Sequence, residues 1–374
     1  MKRLGLIVNP IAGMGGRVGL KGTDGLEILK KAKRLGAKPV AHERAKKALK
    51  ELECLKDRIE IITCSNKMGE EVARQCGFSL RVMKTGKAPL TTASDTKKAA
   101  KEMLSLKVDL LFFAGGDGTA RDIYDAIGDS LVVLGIPSGV KIHSAVYACN
   151  PAAAGELAAL YFQGKATEVG EAEVMDIDEE KFRRQMLSAK LYGYLRIPFR
   201  KRYLQRVKTG SSANEKYSQE AIAFEITENL SDEFRYIIGP GTTTRAIMEK
   251  LELDNSLLGI DLFYKKRLIG KDLNERKLME KIKGKKTILI IAPIGGQGYI
   301  LGRGNQQLSP EVIRCVRKDN IFIVATKKKI NSLYGQPLLV DIGDEETDKE
   351  LSGYYRIITG YRESIIYKVS YSPE

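Results

Sequence analysis

The chain has few of the residues that build metal centres and nucleophilic active sites. Its 374 residues include two histidines, His42 and His143, and five cysteines, which form no CxxC pair. Zinc sites need cysteine and histidine ligands at short spacings, so a structural zinc site is disfavoured. Neither histidine has a convincing nucleophile and orienting acid near it in sequence, which argues against serine or cysteine nucleophile chemistry. We expect free thiols in a reducing compartment.

Long apolar runs are also missing. The N-terminal stretch LGLIVNPIAG has an apolar part that is too short for a membrane span. It lacks a signal-peptide cleavage region and is typical of a first strand followed by a glycine loop. We therefore expect a cytoplasmic protein without stable membrane insertion.

Positive charge is in excess, with 62 Lys and Arg against 47 acidic residues and a net charge of +15. This excess favours an anionic partner, which could be a nucleotide, a nucleic acid or an acidic membrane surface. The densest basic stretch, FRKRYLQRVK at 199–208, could bind nucleic acid, but such runs are more often a solvated hairpin or helix face. We expect nucleotide substrates, no nucleic acid partner, and a homo-oligomer.

The most informative stretch is VDLLFFAGGDGTAR at 108–121. An apolar run at 108–114 is short enough for a buried parallel strand, and a helix pattern starts at 120. Between them lie Gly115, Gly116, Asp117, Gly118 and Thr119. Glycines leave room for a bulky ligand, and a helix N-terminus attracts anions, so the turn could hold phosphates while Asp117 faces the reacting group or a divalent metal. A tight turn with a helix-capping acid is the simpler alternative.

Strand and helix patterns alternate through the first 165 residues. The strand patterns lie at 3–9, 59–63, 108–114 and 131–136, and the helix patterns at 26–35, 43–55, 94–106, 120–127 and 152–161. Such alternation predicts a parallel sheet covered by helices. Ligands of these sheets gather at the carboxyl ends of the strands, so the loops at Asn9, Gly115 and Pro137 are expected to line one cleft.

From about residue 167 the pattern changes to shorter β-rich runs, which predicts a second domain of strands. These runs lie at 192–197, 221–226, 258–264, 287–292, 321–325, 337–340, 355–358 and 365–369. The stretch GPGTTTR at 239–245 precedes a helix pattern at 246–251, and either an anion-binding helix start or a plain helix cap explains it.

The motifs together resemble the NAD kinase family, within the larger group that includes diacylglycerol and sphingosine kinases. AGGDGTARD at 114–122 looks like the GGDGT motif of this group, and NPIAG at 9–13 is similar to its first nucleotide loop. APIGGQGYILGRGNQQLSPEVI at 292–313 is similar to the TPTGSTAY segment of NAD kinases and its downstream proline. QPLLVD at 336–341 looks like the RPLVV of that family.

The resemblance implies an α/β fold, with a Rossmann-like domain at 1–165 that carries the GGDGT loop and a parallel sheet. A β-rich dinucleotide-binding domain would follow at 166–345, and the strands at 346–374 could return to the first domain. The implied activity moves the terminal phosphate of ATP, or of polyphosphate, to the 2′-hydroxyl of NAD with Mg²⁺ present. Asp117 would be catalytic, because it would orient or deprotonate that hydroxyl.

The resemblance also implies a set of residues that bind ATP and NAD, with no metal ligand among them. The set comprises Asn9, Gly13, Gly115, Gly116, Gly118, Thr119, Lys141, Gly295, Gly296 and Tyr299. Two departures indicate a divergent branch. The hydroxyl residues of TPTGS are replaced by Ala292, Ile294 and Gly296. Lys141 and His143 stand where lipid kinases have asparagine and aspartate, and a lysine there could bind phosphate directly.

Two alternatives remain open at this point. A kinase of another small hydroxyl compound or of a lipid would keep the chemistry, and partition to anionic vesicles would favour the lipid acceptor. A nucleotide-binding regulator that has lost catalysis would bind nucleic acid with steep salt dependence and without turnover.

Overall fold

The structure is a computed structural model, which describes residues 1–20, 26–84, 91–140, 142–166, 168–177, 189–200, 203–204, 213–294 and 297–371. Contacts between Cα atoms divide the chain into two compact units. The first comprises Met1–Met14, Gly22–Arg34 and Lys38–Val207, and the second comprises Gly15–Lys21, Leu35–Ala37 and Lys208–Glu374. In the described part of the chain, no helix has the length and apolar character needed to cross a membrane.

The first unit is built on a five-stranded parallel sheet with the strand order β3-β2-β1-β4-β5. Its strands are β1 (Lys2–Val8), β2 (Ile59–Cys64), β3 (Ser79–Met83), β4 (Leu110–Gly115) and β5 (Val133–Pro137). Every residue of β4 is buried, as expected for a parallel strand covered on both faces. The parallel α/β sheet predicted from the alternation of patterns is confirmed.

Among the described residues, six helices accompany this sheet: α1 (Leu26–Arg34), α2 (Ala41–Lys50), α3 (Glu70–Gln75), α4 (Ala93–Ser105), α5 (Asp117–Ile127) and α6 (Pro151–Phe162). Local capping explains several of their ends. Helix α4 starts with a capping box between Thr92 and Asp95. Before α6, the Asn150 side chain accepts a hydrogen bond from the backbone N of Ala153 at 2.7 Å. Helix α2 ends at Lys50 instead of residue 55, because a 3₁₀ helix follows it.

An antiparallel hairpin, β6 (Val169–Ile177) with β7 (Ala189–Pro198), belongs to the first unit. The sequence analysis had placed these residues in the second domain. Contacts with α5 explain the difference. Gly193 leaves room for the Tyr124 ring, to which an added Cβ would come within 2.3 Å. The Tyr192 hydroxyl donates a hydrogen bond to Oδ1 of Asp125 at 2.7 Å.

The second unit is built on a mixed nine-stranded sheet with the order β10-β9-β8-β11-β13-β15-β16-β14-β12. Its strands are β8 (Arg235–Ile238), β9 (Asp261–Tyr264), β10 (Arg267–Gly270), β11 (Thr287–Ile291), β12 (Tyr299–Leu301), β13 (Ile321–Val324), β14 (Leu338–Val340), β15 (Gly353–Gly360) and β16 (Glu363–Ser370). The predicted strand-rich character of this region is confirmed. The C-terminal strands β15 and β16 pair within this sheet instead of returning to the first one.

In its described part, the second unit also carries six helices: α7 (Ala213–Glu228), α8 (Thr242–Lys250), α9 (Glu275–Ile282), α10 (Pro310–Val316), α11 (Lys327–Asn331) and α12 (Glu345–Glu350). The strand predicted at 221–226 is wrong, because these residues lie inside α7. Ile222 and Ile226 are buried four positions apart on one helix face, where they join the core cluster that includes Ile247 of α8. A short apolar run does not by itself separate a strand from a buried helix segment.

The N-terminus of α12 provides a test of acid-dependent stability. Asp344 accepts hydrogen bonds from the backbone N of Thr347 at 3.0 Å and from the Arg314 guanidinium at 2.8 Å. Hydrogen bonds from the Thr347 hydroxyl and backbone, together with Arg314, hold the pKa of Asp344 below its ordinary value. A carboxyl group whose folded pKa is lowered stabilises the folded state above its unfolded pKa and loses that contribution as the pH falls through the folded pKa.

We expect Asp344→Ala to lower the free energy of unfolding by about 1 kcal/mol at pH 7, because the helix loses its cap. The difference from the parent protein should shrink below about pH 4, where the carboxyl begins to protonate. Denaturant unfolding at pH 7, 5 and 3.5 measures this difference in the free energy of unfolding. Asp344→Asn is the control: neither Asn nor Ala titrates, so the gap between these two variants should not depend on pH. A parent-to-Ala difference that stays constant with pH would contradict the assignment.

Candidate functional site

The glycine-rich turn lies where β4 ends and α5 begins. Gly115 is the last residue of β4, and Gly116 is the N-cap residue of α5 in an extended conformation. The helix starts at Asp117 instead of residue 120, because the backbone N atoms of Thr119 and Ala120 already donate to the Gly116 carbonyl. Asp117, Gly118 and Thr119 therefore form the first helical turn. The Thr119 N–H already donates to Gly116, whereas the first N–H groups of a helix generally have no intrahelical partner, and such groups bind anions.

The loop after β1 is tied to this turn. The backbone N of Asn9 donates to the Ala114 carbonyl at 2.9 Å, and its side-chain Nδ2 donates to Oγ1 of Thr119 at 3.0 Å. The Asn9 side-chain oxygen accepts a hydrogen bond from the backbone N of Ile11 at 3.3 Å. One asparagine thus fixes both its own loop and the first turn of α5.

The loop after β5 approaches the same turn at backbone distance. The backbone N atoms of Ser138 and Gly139 both donate to the Gly115 carbonyl at 2.9 Å. A Cβ added to Gly139 would lie 2.8 Å from the Cα of Gly116, so no larger residue fits there. Gly13 has φ +78°, and a Cβ on it would lie 2.0 Å from the Ser138 carbonyl oxygen. The loops that follow β1, β4 and β5 therefore meet, as the sequence analysis expected.

The Asp117 carboxylate is buried, with the residue 8% exposed. Its Oδ2 accepts a hydrogen bond from the backbone N of His143, and its Oδ1 accepts one from the backbone N of Ser144, both at 2.9 Å. The Nδ1 atom of the His143 imidazole lies 3.5 Å from Oδ2. The acid in the first turn of α5 is therefore held by the loop that follows β5.

Sequence reasoning missed the contribution of Tyr147. Its hydroxyl donates a hydrogen bond to the Gly116 carbonyl at 2.6 Å, and its ring packs edge-on against Phe113 with 5.2 Å between centroids. Gly135 in β5 makes room for that ring, because an added Cβ would come within 2.3 Å of it. A glycine inside an apolar strand often marks such a close approach, and this was the signal available in the sequence.

Hydrogen bonds from the hairpin hold the loop after β5 in place. The backbone N of Met175 in β6 donates to the hydroxyl of Ser144 at 2.9 Å, and the backbone N of Ala145 donates to the Glu173 carbonyl at 2.8 Å. About two turns further along α5, hydrogen bonds from the Lys97 ammonium and then from the Tyr192 hydroxyl lower the pKa of Asp125. These two groups of hydrogen bonds hold the hairpin against the loop after β5 and against α5.

Four predicted residues remain. Lys141, Gly295 and Gly296 fall outside the described residues. Tyr299 begins β12 in the second unit and is 1% exposed. The Arg303 guanidinium stacks over its ring, 4.8 Å from the centroid.

The first unit thus combines a Rossmann-like parallel sheet with a glycine-rich helix start at the carboxyl ends of its strands. The family model of the ATP-NAD kinase N-terminal domain matches residues 4–166, and that of the ATP-NAD kinase C-terminal domain matches residues 231–369. The chain belongs to the NAD kinase family. Comparisons with curated proteins and with solved structures gave no match. Residues 167–230, which include the hairpin and α7, lie between the two matched segments.

Proposed function

We propose that the protein transfers the terminal phosphate of ATP to the 2′-hydroxyl of NAD and so produces NADP. The observation that carries this proposal is the GGDGT turn, which the structure places at a helix start where three strand-end loops meet. The matches to both domains of the NAD kinase family support the same activity.

The turn has the groups that phosphoryl transfer requires. Phosphoryl transfer depends mainly on positioning and on stabilising charge at the transferred group. Backbone N–H groups in the first turn of α5 would bind phosphate oxygens. Gly115 and Gly116 allow the Thr119 side chain and Gly139 to pack closely against the turn that presents these groups. Asp117 would orient or deprotonate the attacking hydroxyl.

Magnesium enters this proposal as part of the ATP substrate. Among the residues that the structure describes, no three His, Cys, Asp or Glu side chains come together to hold a metal ion. The proposal assigns no protein ligand to Mg²⁺. Bound to ATP, the ion would neutralise negative charge on the phosphate groups during transfer.

An acceptor scan tests the proposal. Purified protein is incubated with Mg²⁺ and ATP, and product formation is measured with NAD, NADH and a panel of sugar, nucleoside and lipid alcohols. NAD that lacks the adenosine 2′-hydroxyl is the matched control acceptor. We expect NADP from NAD and no phosphorylated product from the control acceptor. Replacing ATP with polyphosphate identifies the donor.

Two results would contradict the proposal. Product from another alcohol but not from NAD would keep the reaction type and change the acceptor. No product with any donor and acceptor would favour a nucleotide-binding regulator.

A further inference from the structure

The two oxygens of the Asp117 carboxylate have different surroundings. Oδ2 accepts the backbone N–H of His143 at 2.9 Å and also lies 3.5 Å from Nδ1 of the same residue. Oδ1 accepts the backbone N–H of Ser144 at 2.9 Å. A carboxylate oxygen offers about two positions for hydrogen-bond donors. Each oxygen thus accepts one backbone N–H, and the imidazole Nδ1 lies beside Oδ2 at an ion-pair distance that does not meet hydrogen-bond geometry.

The imidazole and the carboxylate are both buried, which strengthens the interaction between them. The side chains of His143 and Asp117 are 6% and 8% exposed, so water competes little for the contact between them. The backbone of β6 covers the same loop, through the Glu173 carbonyl and the Met175 N–H.

We propose that His143 is a positioning residue for the phosphoryl transfer, an inference that rests on the proposed function. A proton on Nδ1 of the imidazole would attract Oδ2 across this 3.5 Å contact and so fix the carboxylate with Oδ1 directed to the acceptor hydroxyl. The acceptor oxygen forms a bond to the γ-phosphorus of ATP while its proton passes to Oδ1. The bond from that phosphorus to the bridging oxygen breaks, and ADP leaves with the electron pair. The proton on Oδ1 then returns to solvent.

Two substitutions separate the side-chain contact from the backbone contacts. His143→Leu and His143→Asn both keep the N–H groups of residues 143 and 144, but only Asn retains a side-chain N–H near the place of Nδ1. We expect His143→Leu to lower kcat about 10–100-fold with little change in KM, because the base is still present but poorly oriented. His143→Asn should recover most of the lost kcat. His42→Gln, which changes the other histidine, should match the parent protein.

Activity alone would not separate a failure of this inference from a failure of the proposed function. The chain has two histidines, so a tag-free His42→Gln protein contains the His143 imidazole alone. Its ¹⁵N NMR spectrum at pH 8 reports which ring nitrogen carries the proton. We expect a protonated Nδ1, with a resonance that shifts when Asp117→Asn is added.

The outcomes are distinct. A parent protein that forms NADP, together with a His143→Leu variant of equal kcat, overturns the inference and leaves the proposed function standing. An Asn variant as impaired as the Leu variant also overturns it. If no NADP forms at all, the proposed function fails. The NMR spectrum still decides whether the His143 imidazole directs a protonated Nδ1 to the Asp117 carboxylate. A bare Nδ1 in that spectrum overturns the inference whatever the activity.

Discussion

Asp117→Asn is expected to lower kcat for phosphoryl transfer by about 10²–10⁴-fold, the usual contribution of a positioned acid or base. An amide cannot take up the proton of the acceptor hydroxyl. Its nitrogen would also face one of the two backbone N–H groups of His143 and Ser144 that now donate to the carboxylate. We therefore expect a secondary loss of stability of about 1–3 kcal/mol from the unpaired donor.

Asp125→Asn is the matched control for this variant. It makes the same chemical change on the same helix, but Asp125 contacts Lys97 and Tyr192 instead of the loop after β5. We expect Asp125→Asn to keep the parent kcat. Circular dichroism shows whether Asp117→Asn folds like the parent protein, and titration calorimetry shows whether it still binds nucleotide. An Asp117→Asn variant with the parent kcat would remove this residue from its proposed role.

Gly13→Ala is expected to have the largest effect on stability, with a loss of about 2–5 kcal/mol. Two causes add. An alanine at φ +78° is strained by about 1–2 kcal/mol. Its Cβ would also lie 2.0 Å from the Ser138 carbonyl oxygen and 2.6 Å from the Val40 side chain, and forced overpacking typically costs about 1–3 kcal/mol.

Gly36→Ala separates the two causes. Gly36 has φ +82°, almost the same backbone conformation, but an added Cβ would have no neighbour within 4 Å. This control should lose only the strain, about 1–2 kcal/mol. Denaturant midpoints of both variants measure the difference. Equal losses at the two positions would show that the loop after β1 does not pack against Ser138 as described.

The first sheet was largely predictable because its signals are local. The apolar run at 108–114 is short and uninterrupted, as in a strand buried on both faces, and residues 110–115 form β4. The meeting of the loops at Asn9, Gly115 and Pro137 followed from topology, since parallel strands bring their carboxyl ends to one edge. The confirmed fold class therefore rests on periodicity and on the position of glycines.

The contacts that shape the turn were not predictable, because they join residues far apart in the chain. Asp117 and His143 are separated by 26 positions, and no local pattern shows that an imidazole will lie beside that carboxylate. Tertiary packing also overrode local preference in α7, where an apolar run expected to be a strand became one face of a helix. The roles assigned to the site residues, Asp117 included, stay predictions until they are measured.

The most direct test of the central claim is transfer of labelled γ-phosphate from ATP to NAD, measured side by side for the parent protein and Asp117→Asn. We expect labelled NADP with the phosphate on the 2′-oxygen from the parent protein, and a rate lower by about 10²–10⁴-fold from the variant. No label on NAD from folded, nucleotide-binding parent protein would contradict the claim. Equal rates from the two proteins would leave the activity in place and contradict its assignment to the GGDGT turn.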